Sequence, residues 1–418
     1  MFNSYETILE VFLLRRPELL IPAGNLEKLR TAILYGADAV YVGVSGLSLR
    51  ASQAEFSLED LETGIREAHQ KNLKVYGAIN IFAKNDDLPL AESLIRQLAE
   101  INIDGFILSD PGILSLVRKH APRVAVHLST QANTTNREAV RFWQAQGVSR
   151  VVLARELSLA EISEIAANCP EVELELFIHG AMCMAYSGRC FLSALRTGRS
   201  GNHGECTQPC RWEYLLYEST RPKDPLVLEE DQHYSYLLSS KDLCMIQYLP
   251  EILAAGICSL KVEGRMKSAY YVAVVTRTYR WAIDALMNDP DQYQFNDEWL
   301  DELAKVSNRG FTTGFYFSGG YKIQETEPGV KYFQSHELIG TVLDYQSQYS
   351  RILMGVRNHL TIADSIELLL PSENLSLNTR TMTDPDGIPI QEAHNGFRIY
   401  LPVSKEVPVG AVIRRKIV

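Results

Sequence analysis

The strongest constraint on this chain is an alternation. From about residue 17 to 180, short β-rich runs alternate with helical patterns. The strand candidates are Leu19 to Ile21, Ala39 to Val44, Lys74 to Ile79, Gly105 to Leu108, Val124 to Leu128, Arg150 to Leu153 and Glu173 to Phe177. Between the first two, Asn25 is placed to cap a helix and Gly36 to end it. Ser57 with Asp60, and Ser158 with Glu161, set a hydroxyl and a carboxylate three apart, the opening of a capped helix. Strands and helices alternating at this spacing indicate a parallel α/β sheet. Seven such units, with further β-runs at Tyr236 to Ser240 and Cys258 to Val262, favour a (β/α) TIM-like barrel. An open doubly wound sheet is the competitor, but no Gly-x-Gly-x-x-Gly follows the first strand to mark a dinucleotide site.

Polar residues close several of these strands: Asn80, Asp110, Thr130 with Gln131, Arg155 with Glu156, and His179. Barrel active sites assemble at strand C-terminal ends, so these residues are expected on a catalytic face. For any one of them, capping the next helix is an equally good role.

The segment from 180 to 225 breaks the pattern, being rich in Gly, Cys, Ser and Arg without a clear period. Long irregular insertions in compact domains are usually functional. After about residue 335 short strands separated by turn residues take over, which predicts a small C-terminal all-β barrel. The expected organisation is a barrel domain over 1–330, carrying the insertion, and a β-domain over 331–418.

Net charge is −10, with a pI near 5.5, which argues against a broadly basic, nucleic-acid-coating surface but not against a local basic groove. No apolar run approaches the roughly 18 residues of a membrane span, and the N-terminal apolar stretch is too short for a signal peptide. A cytoplasmic location without membrane association is the expectation. In a reducing compartment the seven cysteines are expected as metal ligands or free thiols.

Five of those cysteines fall close together: Cys183, Cys190, Cys206, Cys210 and Cys244, with six, fifteen, three and thirty-three residues between them. Structural zinc sites usually show paired Cys-x2–4-Cys knuckles, and only Cys206 with Cys210 fits that pattern. Iron–sulfur clusters accept wider, less regular spacings, because the loop wraps a larger inorganic core. Three cysteines on a glycine-rich insertion plus Cys244 on the next element make four thiolates. Arg189, Arg196, Arg199 and Arg211 add positive charge around them, against Glu205 and Glu213. Cys169 and Cys258 read instead as buried small hydrophobes.

Several stretches carry a family resemblance. Glu175-Leu-Phe-Ile-His-Gly-Ala-Met-Cys183, Ser187-Gly-Arg-Cys190 and Gly204-Glu-Cys206-Thr-Gln-Pro-Cys210-Arg211 strongly resemble the motif of the peptidase U32 family. Glu18 to Gly24, Ser240 to Cys244, Lys261 to Arg265 and Asn308 to Tyr316 agree, and together the similarity covers about residues 17 to 320. The family is named for collagenase-like peptidases. Its members that resemble this chain include prephenate-dependent tRNA uridine 5-hydroxylation proteins, ribosomal RNA hydroxylation proteins and oxygen-independent ubiquinone hydroxylases.

The resemblance implies a [4Fe–4S] cluster with Cys183, Cys190, Cys206 and Cys244 as its metal ligands, Cys210 being able to replace one of them. It implies hydroxylation of the tRNA wobble uridine, with tRNA as partner and prephenate as a small carboxylate co-substrate. An electron-transfer protein or a paralogous U32 subunit is a further expected partner. The alternatives are a U32-type peptidase, or an iron–sulfur hydroxylase of rRNA cytidine or a ubiquinone precursor. A peptidase is the poorer fit to the residues, because neither a His-Glu-x-x-His zinc motif nor a Gly-x-Ser-x-Gly elbow occurs.

At the strand ends, His179, Glu156 and Lys241 are the candidate catalytic groups. Arg155, Arg189, Glu263 and Arg265 are the candidate substrate-binding residues, with Arg and Lys suited to clamp a dicarboxylate. Tyr186 and Trp212 are placed to stack a splayed base. His127 reads as a satisfied core histidine.

Overall fold

The computed structural model describes residues 16–44, 47–48, 56–183, 185–186, 189–203, 205–212, 241–317 and 332–417, without the side chains of His203 and Arg211. The β-run expected at Tyr236 to Ser240 lies outside the described residues. In chain order the first strands are β1 (Glu18–Ala23), β2 (Ala39–Gly43), β3 (Lys74–Ile79), β4 (Gly105–Leu108), β5 (Ala125–Leu128), β6 (Arg150–Val152) and β7 (Glu173–Ala181). They are followed by β8 (Asp242–Cys244), β9 (Ser259–Val262) and β10 (Phe311–Thr312).

Strands β1 to β7 pair in sequence and all in parallel, and β9 pairs with both β7 and β1. Ser259 stands in register with Glu175 on one side and Glu18 on the other, so the eight strands close into a barrel. Helices cover the outside, and their starts follow the sequence signals. Asn25 accepts from Lys28 N, Ser57 from Asp60 N, and Ser158 forms the reciprocal box with Glu161. Leu19, Ile21, Val40 and Val42 belong to the apolar layer that the helices pack against.

The barrel interior holds charge as well as apolar side chains. Buried Arg150 donates to Glu173 at 2.8 Å and to Glu175 at 3.3 Å, and also pairs with Glu18. Lys261 Nζ lies 2.7 Å from Glu175, and Tyr76 Oη donates to Glu18 at 2.8 Å. Buried charges persist in such a place only when paired and hydrogen-bonded. His127 is buried in the core and packs edge-on against Tyr76 at 4.5 Å, but among the described residues its Nδ1 finds no hydrogen-bond partner, so it is not the satisfied histidine expected.

Strand β7 is nine residues long and continues past the closed part of the barrel. There it pairs antiparallel with β8, His179 facing Cys244 in register, and β8 pairs in parallel with β10. This small flap sits beside the barrel mouth.

The C-terminal unit is antiparallel, with strands in the spatial order Asn374–Asn378, Ser365–Leu369, Val412–Lys416, His336–Gln346, Arg351–Val356, Arg398–Pro402. Its two outer strands approach each other, so the sheet curls into a half-closed barrel around Ile352, Met354, Leu368 and Ile399. It docks on the (β/α)-barrel through buried polar bonds. Tyr35 Oη donates to the Leu369 carbonyl at 2.8 Å, and Arg277 donates to the Leu370 carbonyl at 2.9 Å. Glu302 sits between Arg277 at 2.5 Å and Arg414 at 2.6 Å. No helix among the described residues is long and apolar enough to cross a membrane.

Candidate functional site

A cavity of about 190 Å³ opens at the C-terminal ends of the barrel strands. Asn80 follows β3, Ser129 to Gln131 follow β5, Arg155 follows β6, and Phe177 and Ala181 lie on β7. Lys261 of β9 forms part of the floor, and Glu263 and Arg265 follow it. The parallel strands deliver all of these to one end, which is why barrel sites form there.

The cysteine-rich insertion closes over the cavity. Cys183, Cys190, Cys206 and Cys210 all line it, Cys183 and Cys206 exposed and the other two half-buried. The short helix Leu192–Thr197 is stitched to the Cys206 loop, since Ser193 Oγ accepts from Thr207 N at 3.0 Å. Phe82 N donates to the Asn202 carbonyl at 3.3 Å and fastens the insertion to the β3 end. Gln208 N donates to the Cys206 sulfur at 3.4 Å, the kind of bond that stabilises a thiolate ligand.

Four thiolates around one zinc at 2.3 Å stand about 3.8 Å apart. Among the described residues, the one group of three metal-capable side chains within 4.8 Å of one another is His359, Glu392 and His394 in the C-terminal unit. Among the described residues, no three of the cysteine sulfurs lie within 4.8 Å of one another, so they are not gathered as around a single zinc.

Three cations line the same cavity. Arg155 donates to the Ala181 carbonyl at 3.1 Å and lies 5.2 Å from the Phe177 ring centre. Lys261 Nζ lies 4.7 Å from the centre of the Tyr41 ring. Arg265 rests against Gly43, where a β-carbon would come within 2.6 Å of its guanidinium. Tyr41 Oη donates to the Val262 carbonyl at 2.9 Å and reaches Glu263 at 3.3 Å. Gly180, at φ +106°, is needed where β7 passes the Glu263 backbone, because a β-carbon there would strike the carbonyl. Glu175 lies beneath Lys261. Burial would raise its carboxyl, but Lys261 and Arg150 hold it below the usual range.

Of the residues singled out in the sequence, Arg155, Glu263, Arg265, Cys183, Cys190 and Cys206 are brought together. Others are not. His179 is buried between Tyr271, Tyr279 and Phe311, with Nδ1 3.4 Å from Tyr279 Oη, and burial lowers its pKa to about 4. Cys244, opposite it on β8, is buried with its sulfur 3.9 Å from Tyr279 Oη and does not line the cavity. Lys241 lies beside Gly310, and Arg189 is exposed outside the cavity wall. Glu156 is half-buried away from the cavity, and burial raises its carboxyl despite Arg155 nearby. Asp110 takes the capping role, accepting from Gly112 N and Ile113 N.

Lys261 and Tyr41 were not singled out as site residues by sequence reasoning. A signal existed in β9, where Ser259, Lys261 and Glu263 recur at period two and so share one face of a strand.

An eight-stranded (β/α)-barrel, a cysteine-rich insertion over its mouth and a curled β unit behind it define one class of protein. The family model described as Peptidase family U32 matches residues 24–326, and that described as Peptidase family U32 C-terminal domain matches 334–414. The chain belongs to peptidase family U32. It is 41% identical over 388 residues to tRNA hydroxylation protein P1 of Bacillus subtilis (strain 168), covering 92% of this chain and 91% of that one. It is 38% identical over 385 residues to a 23S rRNA 5-hydroxycytidine synthase of Escherichia coli (strain K12), covering 88% of this chain and 54% of the relative. It is also 32% identical over 402 residues to a protein named Collagenase from Porphyromonas gingivalis (strain ATCC BAA-308 / W83), covering 93% and 95%.

Proposed function

We propose that this chain is an RNA hydroxylase that acts on carbon 5 of a pyrimidine, with the wobble uridine of tRNA as its substrate. Relatives named for tRNA hydroxylation and for rRNA 5-hydroxycytidine synthesis support an RNA substrate. The observation that carries the reading is one cavity shared by four cysteines and three cations. Cys183, Cys190, Cys206 and Cys210 are the residues we expect to hold a [4Fe–4S] cluster. When bound, such a cluster supplies the redox capacity that side-chain acids and bases lack, since replacing C–H by C–OH withdraws two electrons from the ring.

Arg155 and Arg265 offer charge-assisted, two-pronged bonds to a small dicarboxylate such as prephenate. Lys261, paired with Glu175 at 2.7 Å, adds a third positive charge from the floor. A separate redox protein is the expected electron partner.

A peptidase reading lacks a base for a cysteine nucleophile: among the described side chains, no histidine lines the cavity. The test is complementation. The chain is expressed in a host stripped of its own tRNA hydroxylation proteins, and 5-hydroxyuridine in its tRNA is measured by mass spectrometry. Restored 5-hydroxyuridine, lost on Cys190→Ala, is the expected result. An intact tRNA pool with no such nucleoside would overturn the reading.

A further inference from the structure

The cavity lining is of two kinds: Arg155, Lys261 and Arg265 are cationic, while Asn80, Ser129 and Gln131 are neutral.

Gln131 is the most firmly held of the neutral residues. It is only 5% exposed and sits in the short turn Thr130–Ala132 directly after β5. Its Oε1 accepts from Asn80 Nδ2 at 2.7 Å and from Ser129 Oγ at 2.6 Å. Thr130 Oγ1 donates to the Leu153 carbonyl at 3.2 Å and pins the same turn to the neighbouring strand. With both bonds made at the oxygen, the amide nitrogen is the end left to face the cavity that Gln131 lines. Among the described residues, that nitrogen donates to none.

Gln131 is nine-tenths buried, but its amide nitrogen is not among the buried atoms without a partner, so its N–H groups are open to an acceptor in the cavity, water or ligand. A carboxylate entering the cavity binds more strongly to the cations, with which its bonds are charge-assisted. The neutral donor is matched by a neutral acceptor, such as a ring carbonyl.

Resting on the RNA reading above, we infer that Gln131 donates to a carbonyl oxygen of the pyrimidine ring. Asn80 and Ser129 are the positioning residues that aim it. They fix the rotamer so that the donor is in place before the base arrives, which spares the ordering cost on binding.

The experiment pairs the side chain with one substrate atom. Full-length protein is titrated with fluorescein-labelled anticodon stem-loops carrying uridine, 2-thiouridine or 4-thiouridine at the wobble position, and binding is read by anisotropy. Sulfur is a weak acceptor, so one of the two thio loops is expected to bind the unaltered protein roughly 3- to 10-fold more weakly, the worth of one neutral hydrogen bond. Gln131→Glu and Gln131→Met should each weaken binding of the uridine loop at least as much, with no added loss for the thio loop. Gln131→Met keeps the shape without charge, so repulsion of RNA by a new carboxylate does not explain a shared result.

A protein indifferent to both sulfurs, or a thio penalty undiminished in both variants, overturns the inference and leaves the RNA reading standing. Failure of the unaltered protein to bind any loop removes both.

Discussion

Lys261 Nζ stands 2.7 Å from Glu175 Oε1 under the cavity floor, and both side chains are almost wholly buried. The pair links the charged layer inside the barrel to the site above it. Arg150 and Ser259 also reach Glu175, so the carboxylate is satisfied on both oxygens.

Removing one partner leaves the other buried and under-compensated. Lys261→Met is expected to lower folding stability by about 3–5 kcal/mol, and Glu175→Gln by a comparable amount. The double variant should recover much of the loss, because two neutral groups of similar size replace the pair. Urea denaturation of the three variants gives the coupling, and additive single losses would show that the pair is not coupled.

The same carboxylate sets a pH dependence. Its folded-state pKa is depressed, so its contribution is fully present above the ordinary value of 4.5 and drains away as pH falls through the lowered value. Two buried histidines act in the same direction at higher pH. Burial lowers His127 to about 3 and His179 to about 4, against an ordinary 6.5. Below pH 6.5 the unfolded chain takes up protons that the folded chain refuses. Each histidine should then remove roughly 1.4 kcal/mol of stability per pH unit until its folded value is reached. Denaturation between pH 7 and 5 should show falling stability, with a shallower slope in His179→Gln. An unchanged slope would place His179 in contact with water.

The barrel was legible because its signals are local. Asn25, Ser57 and Ser158 start helices where their spacing placed them, and the first six strand runs fall within two residues of the observed bounds, while β7 continues four residues past Phe177. Asn80, Gln131 and Arg155 follow from the rule that strand ends form the site. His179 and Cys244 did not follow, because their fate depends on a tertiary pairing. Strand β7 outruns the barrel and takes β8 antiparallel, which buries both residues against Tyr279. Nothing in the local pattern separates a strand that ends at the mouth from one that continues into a flap. Lys261 was masked by its apolar neighbours Leu260 and Val262, although its face is polar.

The junction of the two units rests on Glu302, placed between Arg277 and Arg414. Burial alone would raise its carboxyl, but bonds and charge from Arg414 and Arg277 bring it down to about 2. Its contribution is therefore complete above the ordinary 4.5 and is lost as pH falls toward 2. Glu302→Gln leaves two buried guanidinium groups facing each other. The expected cost is about 3–5 kcal/mol, with unfolding that separates into two steps as the C-terminal unit loses its anchor. Calorimetry distinguishes this from a single shifted transition, which would mean that the apolar contacts alone hold the units together.

The cluster ligands are separable by experiment because Cys210 and Cys244 occupy such different places. Cys210 lines the cavity with Cys183, Cys190 and Cys206, whereas Cys244 is enclosed beside His179 and Tyr279. Burial pushes the Cys244 thiol up to about 11, which disfavours the thiolate that a metal needs. After anaerobic purification, Cys210→Ala is expected to lose most of its iron and sulfide while its melting temperature, measured on metal-free protein, barely moves. Cys244→Ala should keep its iron and lose about 1 kcal/mol of stability, the cost of a small void in a packed core. The opposite pattern, iron lost with Cys244 and retained without Cys210, would mean that the β7–β8 flap opens to bring Cys244 to the cavity. The His179 and Tyr279 contacts would then have to break on cluster binding, and the pH dependence attributed to His179 would differ between the metal-free and loaded protein.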